Sequence, residues 1–447
     1  MRCIMKITDL NIHRLYGYIN YSISFKENIN FLYGENGCGK TTVLKIISNI
    51  ITGKIYSLYK YKFEKIVLNY IGNDIQNYIE LIQNENHIQI TMYSEVKGKT
   101  EEELVVHNNR FDDEREEQEY YFEKYPVLHK VRHEFNYVFL PLNRTGNFYR
   151  YDNTRYLRSL YYREEMYSNT RNENNIDMSI VNDLIKRAIN TMNMKLSDIN
   201  SRFNSDILRS FLDAENISNS EDILNYLHKI NDGSINLEDI KKQYKKALKS
   251  INLADEQSEK KLDTFFENLY SDIEDFKNNN TGIDINLLFK LSEFKKITNI
   301  ISKAEENDRL KSKVKLPVEN FTKTINHFFS GGFNEKRIAI HPNGMLFIKN
   351  YYGKKITLDD LSSGEKQIIT FFAYLVFGLE DTNQSIYLVD EPELSLHLNW
   401  QRIFVESIMN LNMDVQLIFA THSPEIIGKY RENAIKLIPS IEGKTNE

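Results

Sequence analysis

An α/β fold is expected from three features of the sequence. Residues 29–51 read as strand, glycine loop and helix, and most of the first hundred residues alternate in the period-2 manner of strands. A long stretch of helical periodicity then separates this region from a second run of alternating strand and helix signals. The expected architecture is a mixed sheet with an antiparallel β subdomain, interrupted by a helical insertion. Its parts are 1–148, the helical lobe or short coiled coil 149–336, and 337–447.

The elements follow in order. MKITDLNI, YSISF and INFLYG are short β-like runs, and TTVLKIISNII switches to helical spacing. IVLNYIG, HIQITMYSE and ELVVHNN read as three further strands, and FDDEREEQEYYFEKY as a solvated loop or helix face. FNYVFLPLNR reads as a buried strand punctuated by Pro141 and Asn143. In the insertion, Val181, Leu184, Ile185, Ala188, Ile189, Met192, Leu196 and Ile199 form one apolar helix face, and Leu262, Phe265, Phe266, Leu269, Ile273 and Phe276 form another. A helix of some 40 residues spans about 60 Å, so short hairpins or a compact lobe are expected and not a very long arm. RIAIHP and MLFIKNYY return to strand spacing, and IITFFAYLVFGL from Ile368 reads as a buried helix too short to span a bilayer.

Composition narrows the class. With 41% hydrophobic and 27% charged residues in 447, the chain can bury a core, which argues against disorder or a coiled-coil rod. A net charge of −6 gives no global attraction for nucleic acid, although a local basic groove stays open. Cys3 and Cys38 are the two cysteines, so no disulfide framework is expected and a reducing, cytoplasmic setting is. Neither a signal peptide nor a membrane span is read.

Gly34, Glu35, Asn36, Gly37, Cys38, Gly39, Lys40 and Thr41 match G-x-x-x-x-G-K-[ST] between an expected strand and an expected helix, which Thr42 continues. Glycines let backbone N–H groups turn inward around phosphates, and the helix N-terminus adds partial positive charge. Lys40 is expected on the β- and γ-phosphates of ATP, and Thr41 on Mg²⁺. The apolar run Ser385–Val389 ends in Asp390 and Glu391, where Asp390 would hold Mg²⁺ and Glu391 would deprotonate the attacking water. Without the phosphate loop, two such acids would be an ordinary solvated strand end.

Leu361-Ser362-Ser363-Gly364-Glu365-Lys366-Gln367 precedes a helix and resembles the LSGGQ signature of ABC ATPases, although Ser362 with Glu365 also makes a helix capping box. Thr421-His422-Ser423-Pro424 resembles the switch-histidine loop of that class, and Glu391-Pro392-Glu393-Leu394-Ser395-Leu396-His397 resembles the D-loop region of RecF, SMC and overcoming-lysogenization-defect ATPases. Leu398 and Asn399 replace the usual final proline. The resemblance covers roughly the first 145 and last 110 residues and implies an ABC-type P-loop ATPase head. It further implies a head-to-tail sandwich dimer, or a higher oligomer, with ATP at the interface. Ser362, Gly364 and Glu365 of one copy would cover the γ-phosphate held by the other, and His422 would touch that phosphate. By position Asn143 and Arg144 stand for the family's glutamine loop, which has no clear counterpart. Tyr16 or Tyr18 could stack on adenine, the plainer reading being core or surface filler.

Lys40 and Leu361 stand about 320 residues apart, against roughly a hundred in transporter subunits, so a transporter role is not expected. What remains is an ATPase subunit of the PARIS or Septu kind, a sensor or scaffold that controls a separate effector such as a nuclease. The absence of a nuclease motif and the short segment after THSPEII favour that reading. The alternative is a RecF-like DNA-binding repair ATPase, its DNA contact supplied by KKQYKKALK from Lys241 and LKSKVK from Leu310.

Overall fold

The computed structural model describes residues 5–72, 74–106, 111, 114–135, 137–141, 178–212, 226–230, 232–250, 255–279, 284–330, 335–378 and 386–441. The chain divides into two compact units, Met1–Ala188 with Asn320–Glu447, and Ile189–Glu319. The division falls inside two long helices. Compared with the 149–336 segment read from the sequence, the insertion unit is therefore narrower at both ends.

In the first unit, β1 (Met5–Leu15) and β2 (Ile19–Ser24) form a hairpin, and β3 (Ile29–Tyr33) leads into helix α1 (Lys40–Ile51). Strands β4 (Lys65–Gly72), β5 (Ile75–Gln83), β6 (His87–Ser94) and β7 (Gly98–Val105) follow as a meander. Helices α2 (Glu114–Lys124) and α3 (Pro126–Glu134) precede β8 (Tyr137–Pro141). Helix α4 (Met178–Leu212) then runs out of this unit.

Three sheets organise the unit. An antiparallel seven-stranded sheet has the order β15-β2-β1-β4-β5-β6-β7, with β15 at Ser440–Ile441. A five-stranded sheet has the order β14-β3-β13-β12-β8, with β12 at Ile386–Asp390, β13 at Gln416–Ala420 and β14 at Ala434–Lys436; every pairing in it is parallel. The third sheet holds β9 (Lys336–Ile340), β10 (Leu346–Asn350) and β11 (Lys355–Ile356).

Strands β12 and β13 are buried at every position, as a parallel sheet covered on both faces requires. Leu32, Ile418 and Leu388 share a core with Val43, Ile46, Ile47 and Ile50 of α1. Alternate residues face the other way: Phe31 stacks on Phe419 with ring centroids 5.4 Å apart, and both Phe419 and Phe371 meet Phe404. Phe371 belongs to α8 (Ser363–Phe377), the buried helix expected from IITFFAYLVFGL, and Phe404 to α9 (Leu398–Met409). The two sheet systems are stitched by the buried Gln416, whose amide exchanges two hydrogen bonds with the Ile7 backbone at 2.8 and 2.7 Å. That contact sits at the β1 bulge between Ile7 and Asp9, where the inward residues step from Ile7 to Leu10.

Three readings change. Strand β5 and helix α3 have no counterpart in the runs picked out from sequence. The charged segment before β8 is half correct: Glu116 and Glu119 of α2 are exposed, yet Tyr121 and Phe122 near its end and Tyr125 just after it are buried, Tyr121 stacking on Tyr56 at 4.5 Å. Tyrosine carries enough apolar area to enter a core beside four charged neighbours.

The insertion unit is built from the outer part of α4, helices α5 (Leu237–Ser250) and α6 (Glu256–Asn279), and most of α7 (Ile285–Phe329). Leu262, Phe266, Leu269 and Ile273 pack on Leu287, Leu291, Phe294 and Ile301, the three- and four-residue spacing of facing helix stripes. At 45 residues α7 is about 68 Å long, a compact-lobe dimension. Lys241 and Lys245 both pair with Asp263, so part of the basic run offered for DNA is neutralised within its own unit. Among the described residues no helix is long and apolar enough to cross a membrane.

Candidate active site

Register places three loop exits side by side. Leu32 of β3 pairs with Ala420 of β13, and Ala420 pairs with Asp390 of β12. Neighbouring strands are about 4.8 Å apart, so the segments that follow them leave the sheet edge within about 10 Å of one another. Those segments carry the glycine loop, the Asp390-Glu391 pair and the Thr421-His422 loop, although the first lies some 350 residues from the others in sequence. The C-terminal edge of a parallel sheet is where such folds place ligands.

The glycine loop is shaped by backbone that other residues do not adopt. Gly37 and Gly39 have φ of 81° and 89°, and a Cβ on Gly39 would collide with the Tyr21 hydroxyl. Tyr21 Oη donates to the Cys38 carbonyl at 2.9 Å, bracing the loop from β2, and burial beside Cys38 pushes its own pKa up to about 12. Lys40 Nζ donates to the Gly34 and Glu35 carbonyls at 3.0 and 3.1 Å, so the loop wraps its ammonium. Gly39 caps α1 in the left-handed region with no side-chain cap, leaving the first-turn N–H groups of Thr41 and Thr42 toward the loop. Asn36 lies in the exposed crest of the loop, and Cys38 is a buried free thiol. Cys3 lies outside the described residues.

Thr41 Oγ1 donates to Asp390 Oδ1 at 3.1 Å, joining the phosphate loop to the acidic strand across the sheet. Burial pushes the Asp390 carboxyl up to about 6; the Thr41 hydrogen bond and Lys45 pull it down, while Glu391 and Glu393 add to the rise. A buried carboxylate with a raised pKa beside a threonine hydroxyl suits a divalent cation. Among the described residues no group of three or more His, Cys, Asp or Glu side chains could hold a metal. A hydroxyl beside a carboxylate fits an ion whose other ligands come from phosphate and water, as Mg²⁺ at nucleotide sites has.

Glu391 follows Asp390 with φ of 50°, uncommon for a residue with a side chain, and donates its N–H to Ala420 O at 2.8 Å. The kink turns the chain off β12 at the point where Glu391 stands, and such strain gathers at functional sites. Two residues on, Glu393 accepts from Thr421 Oγ1 at 2.7 Å and from His422 N at 2.6 Å. Ser423 Oγ donates to Gln401 Oε1 at 2.7 Å, and the Gln401 amide donates to Leu396 O at 2.9 Å. The His422 loop is thus held by the turn after β12 while its side chain stays exposed.

Ser362 and Glu365 form the capping box at the start of α8, with Ser362 N donating to Glu365 Oε2 at 2.8 Å. Lys336 Nζ donates to both Glu365 oxygens, at 2.7 and 2.9 Å. A Cβ on Gly364 would come within 2.5 Å of Ser395 O, so glycine is what lets this turn sit on the segment after Glu391. Among the described residues no hydrogen bond joins Ser362, Gly364 or Glu365 to residues 34–42. The structure thus gathers Lys40, Thr41, Asp390, Glu391 and the His422 loop at one edge and packs the Ser362 turn on Lys336 and Ser395.

Tyr16 and Tyr18 are about half exposed, and both lie near enough to raise the Tyr21 pKa. Asn143 and Arg144 lie outside the described residues. Glu393, Tyr21, Gln401 and Lys336 were not legible as site residues. Glu393 sits inside a recognised segment, yet its role as an acceptor appears only when β12 and β13 pair.

The family described as AAA ATPase domain matches residues 5–427. A retron Vc95 probable ATPase of Vibrio cholerae serotype O1 biovar El Tor is 31% identical over 124 residues, 26% of this chain and 24% of that protein. A retron Ec83 probable ATPase of Escherichia coli is 28% identical over 107 residues, 22% and 19% of the two chains. The matched segments thus span about a quarter or less of these curated relatives. Among solved structures, an Smc head domain with an extended coiled coil bound to the C-terminal domain of ScpA, from Pyrococcus furiosus, aligns over 98% of this chain and 96% of its own, at 12% identity and a TM-score of 0.39. The recombination mediator RecF aligns over 96% and 95%, at 12% identity and a TM-score of 0.31. With the family match running through nearly the whole length of the chain, the chain belongs to the AAA ATPase domain family.

Proposed function

We propose that this chain is the ATPase subunit of an anti-phage defence assembly, in which ATP joins two copies head to tail and the joined state controls a separate effector such as a nuclease. The observation that carries the catalytic part is the Thr41–Asp390 contact, which puts a cation-binding pair between the phosphate loop and Glu391.

The loop N–H groups and Lys40 hold the phosphates, with the ammonium leaving the Gly34 and Glu35 carbonyls for a γ-oxygen. Mg²⁺ would be held by Thr41 and Asp390 and would supply neutralisation of phosphate charge. Glu391, displaced from the strand line by its backbone kink, accepts the proton of the attacking water. His422, on a loop fixed by Glu393, meets the γ-phosphate. Ser362 and Gly364 serve the site of the second copy, a reading supported by the resemblance of their turn to the ABC signature and by its place at the N-terminus of α8. In that role Glu365 is occupied by Ser362 and Lys336 and sets the turn rather than touching phosphate.

The defence role is supported by the two retron ATPase relatives. It is tested by purifying the Glu391→Gln protein with the products of its neighbouring genes, adding ATP and Mg²⁺, and weighing the complex by light scattering and mass spectrometry. A stoichiometric partner protein on an ATP-bound dimer supports the proposal. A bare dimer that captures duplex DNA supports a RecF-like clamp, and a monomer with undiminished turnover removes both the sandwich and Glu391 as base.

A further inference from the structure

The small sheet of β9, β10 and β11 carries a surface that ATP chemistry does not use. Its register sets Lys355 opposite Lys349, and Lys349 opposite Arg337, so three cations share one rung. In the next rung Ile348 pairs with Ile338 and Ile356 and points into the protein. By strand alternation the basic rung lies on the outer face, where all three side chains are exposed. Like charges directly opposite one another weaken a sheet. Among the described residues, nevertheless, neither these three nor the exposed Lys354 forms an ion pair with a carboxylate, whereas the adjacent Lys336 is paired with Glu365.

Aromatic rings accompany the charges. Phe347 shares the outer face, with Lys349 Nζ and Lys355 Nζ at 5.7 and 6.0 Å from its ring centroid. At the turn between β10 and β11, Tyr351 and Tyr352 are 74% and 86% exposed, the most exposed large apolar side chains among the described residues. Their rings meet edge to face at 5.5 Å. The turn itself is ordered: Gly353 N donates to Asn350 O at 2.9 Å, and Lys354 N to Asn350 Oδ1 at 2.9 Å. Two tyrosines are thus held out in water beside an uncompensated row of cations.

An acidic protein segment would satisfy the row but not the rings. Duplex nucleic acid would satisfy the phosphate contacts while keeping its bases stacked on one another. A single strand offers both phosphates and free base faces. We propose that this hairpin docks single-stranded nucleic acid, with bases stacked on Tyr351 and Tyr352 and phosphates along Lys355, Lys349 and Arg337.

The test is fluorescence anisotropy of the full chain, without ATP, against labelled 20-mers of dT and U and a duplex of equal length at 50–200 mM salt. The single strands are expected to bind with a log–log salt slope of about −2, the value for three phosphate contacts. The double variant Tyr351→Ala/Tyr352→Ala should weaken binding by about ten-fold or more with its slope unchanged. Lys349→Ala/Lys355→Ala should make the slope shallower by about 1.4. Each variant should hydrolyse ATP at the wild-type rate without nucleic acid, which shows the fold intact. The proposal is overturned if wild type does not bind at 50 mM salt or if either double variant binds as wild type does. It is equally overturned if the duplex binds as tightly as the single strands, or if anionic vesicles, but not oligonucleotides, are bound through the same residues. Because binding is read without ATP, its failure leaves the ATPase reading untouched, and a failed ATPase reading leaves the binding result standing.

Discussion

Replacing Asp390 by Asn should make the ligand-free protein more stable while abolishing its hydrolysis of ATP. Burial pushes the Asp390 carboxyl from 3.8 to about 6, so the folded protein binds this proton more tightly than the unfolded chain does. Stability from this group is therefore greatest in acid and falls as pH rises from about 4 through about 6. Holding the carboxylate ionised costs about 3 kcal/mol at pH 7.5 and about 1.6 kcal/mol at pH 5. Asparagine keeps an oxygen for the Thr41 hydroxyl and removes the charge. At about 2.1 cal/mol/K per residue, unfolding of a chain this long shifts by about 1 °C per kcal/mol. Melting in EDTA without nucleotide should then rise by about 3 °C at pH 7.5 and by about half that at pH 5. Added Mg²⁺ and ATP should stabilise wild type more than the variant, since the cation relieves a penalty that only wild type has. An equal rise at both pH values, or a fall at pH 7.5, would refute the argument that a buried charge is held there for the metal.

Other substitutions probe the parts around it. Glu393→Ala removes two acceptors beneath the His422 loop, each hydrogen bond to a charged group being worth about 1.5–3 kcal/mol, so kcat should fall at least ten-fold with little change in KM. Glu393→Gln, which can accept from His422 N and donate to Thr421, should recover most of that loss. Gly364→Ala drives a Cβ against Ser395 O and should lower steady-state ATPase activity while leaving single-site nucleotide binding, read by fluorescent-nucleotide titration, near wild type. Tyr121→Ala empties a fully buried stacking position against Tyr56 and should cost about 3–5 kcal/mol in urea denaturation, with no specific effect on the KM of molecules that remain folded.

The candidate site was legible because its motifs are short contiguous words. A phosphate loop needs glycines at fixed spacing and a lysine at the helix start, so Gly34 to Thr41 could be read without any partner. The acids after β12 could be read because a fully buried parallel strand is a continuous apolar run, and IYLVD stops being apolar at Asp390. The helices of the insertion were legible from their stripes, Leu262 to Ile273 above all.

Tertiary structure decided what spacing along the chain does not encode. β5 was missed because Asn77, Glu80 and Gln83 blur its alternation, and only pairing with both β4 and β6 makes it a strand. The tyrosines closing α2 read as surface among their charged neighbours until Tyr56 came to meet them from across the fold. Thr41 and Asp390, 349 positions apart, come within hydrogen-bonding distance only through the register of β3, β13 and β12. Glu393 becomes the anchor of His422 by the same route. A local motif fixes which atoms are available. The pairing of strands far apart in sequence fixes which of them share a site, because a hydrogen-bonded sheet has one register and places every loop exit by it.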